Sequence, residues 1–204
     1  MTAGEFLALL LFCAAMSFSP GPNTTLSTAL AANHGLKRAL RFCFAVPAGW
    51  TLLMVASGLG LGALVTSVPA LTWAIKGVGA SYMLWLAFKL ASAAQLARVD
   101  DSRLEVTFAQ GVGMQFLNIK AWMMALTLTA GWVVNAAGQP AANPGQRLAI
   151  ISAVTMAFAF SSNFLYALVG SLLRQWLAHG ARLLWFNRAL ALVLVLTAAW
   201  MVTV

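Results

Sequence analysis

Charged residues divide the chain into long apolar stretches. Residues 6–36 carry no charge, and the same holds for 42–75, 148–173 and 189–204. A helix that crosses a membrane needs about 20 mostly apolar residues. The pattern therefore predicts six transmembrane helices, which lie near residues 5–30, 42–66, 70–92, 108–134, 148–172 and 184–204.

The composition agrees with a chain that is surrounded by lipid. Hydrophobic residues make up 62% of the sequence and charged residues only 8%, whereas a soluble domain carries about 25% charged residues. The net charge of +8 comes from basic residues that cluster between apolar stretches, which favours orientation in a membrane over nucleic-acid binding. We expect one all-α polytopic domain, residues 1–204, in a lipid bilayer, with no nucleic-acid partner.

The segment Gln95–Glu105 (QLARVDDSRLE) is polar. It divides the predicted domain into halves of three helices each, residues 1–94 and 106–204. An odd number of helices per half gives the halves opposite orientations. Inverted halves are common among secondary transporters, whose substrate site lies near the bilayer midplane.

The basic residues predict the orientation of the chain. We number the five connections between the six predicted helices in chain order. Connections one, three and five contain nine Lys and Arg residues, whereas connections two and four contain only Lys76 and Arg147. Since cytoplasmic loops carry the excess of Lys and Arg, both termini are predicted on the periplasmic side. The nine residues are Lys37, Arg38, Arg41, Lys89, Arg98, Arg103, Arg174, Arg182 and Arg188.

The first predicted helix is interrupted by Ser19-Pro20-Gly21-Pro22-Asn23. Two prolines remove two N–H donors, and carbonyls one turn earlier lose their helical partners. In a bilayer a broken helix survives only where it is buried or lines a cavity. After the second proline, free N–H groups and the positive end of the helix dipole favour an anion. A kink that only allows close helix packing is the alternative.

The fourth predicted helix contains Gln115, Asn118 and Lys120. Lys120 lies ten residues beyond Gln110, which is about 15 Å along a helix and near the middle of a hydrocarbon core about 30 Å thick. An ionisable residue at that depth indicates a functional site. The alternative is a lysine that snorkels to the interface from a helix that begins later.

Asn163 in the fifth predicted helix is a further polar residue at depth, and helix–helix hydrogen bonding explains it equally well. Together, the two interrupted segments suit a zwitterion: freed carbonyls bind an ammonium group, and a helix N-terminus or Lys120 binds a carboxylate. This hypothesis rests on placement alone. The predicted binding residues are Ser19, Pro20, Gly21, Pro22, Asn23, Gln115, Asn118, Lys120 and Asn163.

The sequence lacks the residues that metal binding and hydrolysis require. The sequence has no Cys/His cluster with metal spacing and no hydrolase motif, so we expect no metal, no cofactor and no enzymatic activity. The acidic residues are Glu5, Asp100, Asp101 and Glu105. None of them lies within a predicted span away from its end, so no proton relay of carboxylates is apparent.

The motifs together resemble the LysE/RhtB family of amino-acid exporters. The resemblance rests on Ser19–Asn23, on His34–Ala39, on Gly77–Lys89 and on Gln115–Ala121, which is similar to the family's QFLNPKA segment. The stretch Asn163–Arg188 is also similar, so the resemblance covers nearly the whole chain. Within the family, the sequence is most similar to the cysteine/O-acetylserine exporter branch.

The resemblance implies export of small neutral amino acids or derivatives (cysteine/O-acetylserine-like, or homoserine/threonine-like) across the bacterial inner membrane by alternating access. It also implies proton coupling, for which Lys120, Glu5 and the substrate's own amino group are all open. Two departures stand out. Ile119 replaces the usual proline, which predicts a milder break, and Ala45–Ala48 replaces sequence that often contains glycine.

Two alternatives come from other functional classes. A membrane thiol–disulfide electron carrier needs two thiols that can meet, and Cys13 and Cys43 are the only cysteines. An accessory membrane subunit without transport activity is the second alternative, which Lys120 and the Ser19–Asn23 segment argue against. The GxxxG spacing of Gly58 and Gly62 leaves a homodimer open.

Overall fold

The computed structural model describes residues 1–93, 106–134 and 140–203, and confirms the all-α class. The predicted loop Gln95–Glu105 lies outside the described residues. A π-helical segment, Thr129–Val133, continues α7. The α-helices are α1 (Ala3–Phe18), α2 (Pro22–His34), α3 (Leu36–Gly58), α4 (Leu61–Ser67), α5 (Pro69–Ala91), α6 (Phe108–Phe116), α7 (Ile119–Leu128), α8 (Pro144–Leu177) and α9 (Arg182–Thr203).

Local sequence determines where several helices begin. Thr2 and Glu5 form a capping box at the start of α1, in which each side chain accepts the other's backbone N–H. Helices α2, α5 and α8 each begin with a proline, whose missing N–H would have had no helical partner at that position. Between α2 and α3, Gly35 has a φ of 87°, which glycine adopts without steric cost.

Helix α8 lies at the centre of the packing. It packs against α2 and α3, while α9 packs against α5 and α6 packs against α3. The approach of α8 to α2 is very close, because a Cβ atom added to Gly170 would lie 2.3 Å from the carbonyl oxygen of Thr28. The backbones of these two helices are therefore in direct contact.

Several polar side chains are buried in this protein, and many large apolar side chains are exposed. Gln115 and Asn187 are fully buried, whereas Leu172 is 73% exposed and Phe88 is 72% exposed. Exposed apolar surface of this extent requires a non-aqueous surrounding. The exterior of the helix bundle is therefore a lipid-facing surface.

Within the described part of the chain, three helices are long and apolar enough to cross a membrane: α3, α8 and α9. The pair α1 and α2, bent by 52° at the break between them, counts as a fourth if it is one broken span. These counts rest on length and composition, and they are consistent with a polytopic membrane protein. Helix α5 covers most of the third predicted span, and α6 and α7 lie within the fourth. None of these three helices is among the candidate spans counted above, so the six-span arrangement stays a prediction.

The second predicted helix, residues 42–66, was wrong in both bounds. Helix α3 begins at Leu36, which places Lys37, Arg38 and Arg41 in its first two turns. It ends at Gly58, and α4 begins after Gly60, whose φ of 104° turns the chain. The predicted bounds followed the uncharged stretch 42–75, which shows neither the helical residues before Phe42 nor the left-handed glycine at which the chain turns.

The GxxxG spacing therefore spans a corner between two helices. A Cβ atom on Gly58 would lie 2.8 Å from Leu148, and one on Gly62 would lie 2.7 Å from Leu126. Both glycines thus allow close packing within this chain, as a GxxxG spacing predicts. Because both glycines face side chains of the same chain, this motif gives no support to a homodimer, which stays a prediction.

Asn187 of α9 follows the pattern of buried polar residues, although it lies next to Arg188 in the sequence. Its side chain is fully buried and forms a pair of hydrogen bonds with the amide of Asn33, each 2.9 Å long. It also donates to the carbonyl oxygen of Ala93. This amide clasp joins the ends of α2 and α5 to α9. The hydrogen bonds to Asn33, 154 residues away, explain why an asparagine can be buried at this position.

Candidate functional site

The first predicted helix is broken between Phe18 and Pro22. The interruption frees backbone carbonyls, as the two prolines predicted, and side chains supply their partners. The Ser19 hydroxyl donates to the carbonyl oxygen of Met16 at 2.9 Å, and the Tyr166 hydroxyl donates to that of Phe18 at 3.0 Å. The broken backbone is thus satisfied inside the protein, as a non-aqueous surrounding requires.

Helix α2 restarts immediately after the break. Gly21 precedes the helix, Pro22 is its first residue, and the Gly21 N–H donates to the Thr24 hydroxyl at 3.0 Å. The Asn23 side chain lies deeper in the protein and is 7% exposed. The beginning of α2 is therefore a buried helix N-terminus, at which the partial positive charge of the helix dipole is concentrated.

The fourth predicted helix, residues 108–134, is also broken, because α6 ends at Phe116 and α7 begins at Ile119. Asn118 caps α7, and its side-chain oxygen accepts the backbone N–H of Lys120 at 3.2 Å. On the neighbouring helix α5, a Cβ atom at Gly79 would lie only 2.1 Å from the carbonyl oxygen of Leu117. The break therefore needs no proline: an asparagine cap and the bare backbone of Gly79 accommodate it.

Lys120 joins the two breaks across 101 residues of sequence. Its Nζ atom lies 2.7 Å from the hydroxyl oxygen of Ser19 and 3.1 Å from the Ser19 carbonyl oxygen. The side chain is half-buried and does not extend to the surface as a snorkelling lysine would. The alternative of a lysine at the membrane interface is therefore not supported.

Gln115 holds the two broken helices together on the side of α2. Its side-chain oxygen accepts from Asn23 and from the indole N–H of Trp50, both at 2.8 Å. Its amide nitrogen donates back to Asn23 and to the carbonyl oxygen of Gly111. Gly49 lies so near that a Cβ atom there would be 2.6 Å from Gln115. These contacts fix the Asn23 amide in one orientation.

Asn163 also makes a helix–helix hydrogen bond. The Ser27 hydroxyl of α2 donates to its side-chain oxygen at 2.8 Å, and its amide nitrogen donates to the carbonyl oxygen of Ala159. Neither Ser27 nor Trp50 stood out in the sequence, because serine and tryptophan are common in membrane helices. Their polar atoms became identifiable only through their buried partners.

Two cavities meet at Lys120. The smaller has a volume of about 20 Å³, which is room for about one water molecule. The larger has a volume of about 550 Å³ and is mostly apolar. Residues that line the smaller cavity include Ser17, Ser19, Gly21, Pro22, Asn23, Thr24, Trp50, Asn118, Lys120, Ser162 and Asn163; the larger is lined by Met16, Ser19, Pro20, Gly21, Pro22, Lys120, Met123, Val193, Leu196, Thr197 and Trp200.

Most of the predicted binding residues thus surround one small polar space. Pro20 lines only the larger cavity, and Gln115 lines neither but positions Asn23. Ser17, which the sequence did not single out, lines the smaller cavity, and its buried hydroxyl has no hydrogen-bond partner within the described residues. The assignment of these residues to substrate binding stays a prediction.

The cysteines lie apart from this site. Cys13 and Cys43 are buried and free, and neither lines the two cavities at Lys120. A thiol–disulfide carrier needs thiols that an oxidant or partner can reach. The arrangement therefore gives no support to that alternative.

Comparison with known proteins identifies relatives over nearly the whole chain. The family model described as "LysE type translocator" matches residues 14–203. A cysteine/O-acetylserine efflux protein of Klebsiella pneumoniae subsp. pneumoniae is 29% identical over 191 residues, 93% of this chain and 94% of the relative. A protein of the same name from Salmonella choleraesuis is 30% identical over 184 residues, 89% of each chain. No solved structure matches the chain.

The Escherichia coli (strain K12) protein of that name is 26% identical over 184 residues, again 89% of each chain. The family match contains both helix breaks and every predicted binding residue. The resemblance inferred from the motifs is thereby confirmed, and it places the chain among translocators rather than enzymes. The protein belongs to the LysE type translocator family.

Proposed function

We propose that the protein exports small neutral amino acids or their derivatives from the bacterial cytoplasm to the periplasm as a secondary transporter. The substrate class is cysteine/O-acetylserine-like or homoserine/threonine-like. The observation that carries this proposal is the contact of Lys120 with Ser19, which joins two broken helices beside a buried polar cavity. The efflux proteins to which the chain is similar support the direction of transport.

The first break offers opposite partial charges to the two ends of a zwitterion. Helix α1 ends there, and the carboxyl end of a helix favours a cation, whereas the beginning of α2 favours an anion. The unpaired hydroxyl of Ser17 lines the same small cavity. An amino acid can thus place its ammonium group towards α1 and its carboxylate towards α2, as transporters with interrupted helices do.

The contacts between helices support six spans in two inverted halves. Under that arrangement α3 and α8 are equivalent and pack against each other, as do α5 and α9. The first broken helix packs on α8 through α2, and the second packs on α3 through α6. Each of these two contacts relies on a glycine, Gly170 against Thr28 and Gly49 against Gln115. We further propose the inner membrane as the location and a periplasmic position for both termini.

The small volume of the polar cavity supports alternating access. A space for about one water molecule cannot hold an amino acid, so binding requires the surrounding helices to separate. Two polar contacts close the ends of the bundle: the amide clasp of Asn33 with Asn187, and the ion pair of Glu5 with Arg147 at 3.1 Å. On the predicted topology the clasp faces the cytoplasm and the ion pair faces the periplasm.

Proton coupling is also part of the proposal. Among the residues that the structure describes, no carboxylate lines either cavity at Lys120. Glu5 is bound to Arg147 at one end of the bundle. The groups that could carry a proton at the polar cavity are therefore Lys120 and the substrate's own amino group.

Export from intact cells tests the proposal. Cells that express the protein are fed dipeptides to load the cytoplasm with single amino acids, and each amino acid is followed in the medium. We expect faster appearance of cysteine, O-acetylserine, serine-like or homoserine/threonine-like amino acids, and loss of that increase in Lys120→Met. Lys76→Met is the matched control, because Lys76 is a buried lysine that lies over Trp73 on α5, away from both cavities.

The outcomes separate export from a merely accessory role. No increase for any amino acid, with the protein present in the membrane at normal level, would contradict the proposed substrate class and favour an accessory subunit. Equal export by wild type and Lys120→Met would leave export standing and remove Lys120 from the site.

A further inference from the structure

The first break presents only hydrogen-bond acceptors towards Lys120. The Ser19 hydroxyl donates its single proton to the carbonyl oxygen of Met16, so only its lone pairs remain for the Lys120 Nζ atom at 2.7 Å. The second contact of Nζ is the Ser19 carbonyl oxygen at 3.1 Å, which is also an acceptor. A carboxylate has no proton to donate and cannot bind at this pair of oxygens.

The carboxyl end of α1 also favours a cation at Ser19. Ser19 is the capping residue at the carboxyl end of α1, where the helix dipole is negative. No carboxylate among the described residues lines either cavity at this point. The positive charge that Ser19 stabilises is therefore supplied by the lysine of the chain itself.

The space around the ammonium group is small but open on two sides. A Cβ atom at Gly21 would lie 3.4 Å from the Lys120 Nζ atom, which is van der Waals contact, so the backbone of Gly21 lies close to the ammonium group. Ser19 and Lys120 line both the small polar cavity and the large apolar one. An ammonium group that enters from the large cavity can therefore reach the same two acceptor oxygens.

We propose that the Ser19 oxygens form a binding site for a primary ammonium group, and that Lys120 occupies this site as an internal ligand in the absence of substrate. The ammonium group of the substrate displaces Lys120 from Ser19. This proposal rests on the proposed function and deepens it, because it makes a free amino group obligatory for the cargo. It also predicts that N-acylated amino acids do not bind.

The opposite role for Lys120, direct binding of the substrate carboxylate, makes opposite predictions. If Lys120 competes with the substrate, its removal frees the site and tightens binding. If Lys120 holds the carboxylate, its removal abolishes binding. The two roles also differ in the fragment of the substrate that binds by itself, an amine in the first case and a carboxylate in the second.

Equilibrium binding to purified protein in lipid nanodiscs distinguishes the two roles. The probes are L-cysteine, cysteamine (no carboxylate), 3-mercaptopropionate (no amine) and N-acetyl-L-cysteine. For Lys120→Met we expect Kd values for L-cysteine and cysteamine to fall by about tenfold or more, the equivalent of one strong hydrogen-bonded contact. The other two probes bind neither protein, and Lys76→Met binds as wild type does.

Weaker binding of L-cysteine to Lys120→Met, with the variant folded as judged by its melting temperature, would overturn the proposal. So would binding of 3-mercaptopropionate that disappears in the variant. Failure of wild type to bind any amino acid and to export any would instead refute the proposed function. Unaltered export together with weaker binding in the variant would refute this inference alone.

A measurement on the wild-type chain covers the case in which Lys120→Met does not fold. Amine acetylation of Lys120, quantified by mass spectrometry of the digested protein, reports whether its ammonium group is engaged. Displacement by L-cysteine is expected to raise the labelling of Lys120 at least twofold and to leave that of Lys76 unchanged. Protection of Lys120 by L-cysteine would overturn the proposal.

Discussion

The two broken helices meet at the contact of Lys120 with Ser19, and their breaks have different causes. The first break is made by two prolines, and it exposes backbone oxygens whose partners come from Ser19, Tyr166 and Lys120. The second break contains no proline. It depends on Asn118 as a cap and on a neighbouring helix that has no side chain at Gly79. The first break supplies acceptors and the second supplies the donor, so neither is complete without the other.

This difference indicates how each break can be disturbed. Proline breaks a helix through its own covalent structure, and the surroundings need only satisfy the freed groups. A break without proline can close into a continuous helix unless its cap and its packing oppose that. The second break should therefore be the more sensitive of the two to single substitutions around it.

The largest effect is expected for Gly79→Ala. The new Cβ atom would lie 2.1 Å from the carbonyl oxygen of Leu117, a backbone atom that cannot rotate away, and overpacking of this kind costs about 1–3 kcal/mol or more. We expect a large fall in melting temperature and loss of export. Gly77→Ala is the control, since no atom lies within 4 Å of its added Cβ. Equal melting temperatures for the two variants would contradict the close contact of α5 with the second break.

Gln115→Met tests the connection between the two breaks. The substitution keeps the length of the side chain but leaves the buried polar atoms of Asn23 and Trp50 without their shared partner. An unsatisfied buried polar group costs about 1–3 kcal/mol, so the melting temperature should fall by several degrees. A variant as stable as the wild type, with unchanged export, would show that the Gln115 network is dispensable.

Asn118→Ala should have a smaller effect on stability. Loss of the cap of α7 removes one hydrogen bond to the Lys120 backbone and costs about 1 kcal/mol. Asn118→Ser keeps a capping oxygen and should restore most of the stability. If serine rescues no better than alanine, capping is not the role of this residue.

The smallest effect is expected for Tyr166→Phe at the first break. Only the hydrogen bond to the Phe18 carbonyl oxygen is lost, and the Tyr166 side chain is only partly buried. A single neutral hydrogen bond contributes about 0.5–1.5 kcal/mol, so we expect a slightly lower melting temperature with normal export. A larger loss than in Asn118→Ala would reverse the order of sensitivity argued above.

Much of this centre could be predicted from the sequence. Pro20, Pro22 and the charge of Lys120 are costly in a bilayer wherever they lie, so the sequence alone predicted a candidate site at these residues. Their pairing could not be predicted, because hydrophobicity shows that a residue is buried but not which helix buries it. The contact of Lys120 with Ser19 depends on the packing of helices 101 residues apart.

The errors have the same physical origin. The predicted start of the second helix, residue 42, followed the charges that precede it, whereas α3 already begins at Leu36. The turn at Gly60 depends on a positive φ, which a glycine permits but does not require. Local sequence therefore predicted the presence of the helices better than their ends, and the ends determine the site.

The direct backbone contact of α2 with α8 limits how this protein can move. With a Cβ atom excluded at Gly170 by the carbonyl of Thr28, and with Ser27 bonded to Asn163, the two helices have no layer of side chains that could slide or reorient. We expect them to behave as a single rigid body. The bending of the pair α1 and α2 is then expected at Ser19–Gly21, where helical hydrogen bonds are missing, so that the residues predicted to bind the ligand would also form the hinge.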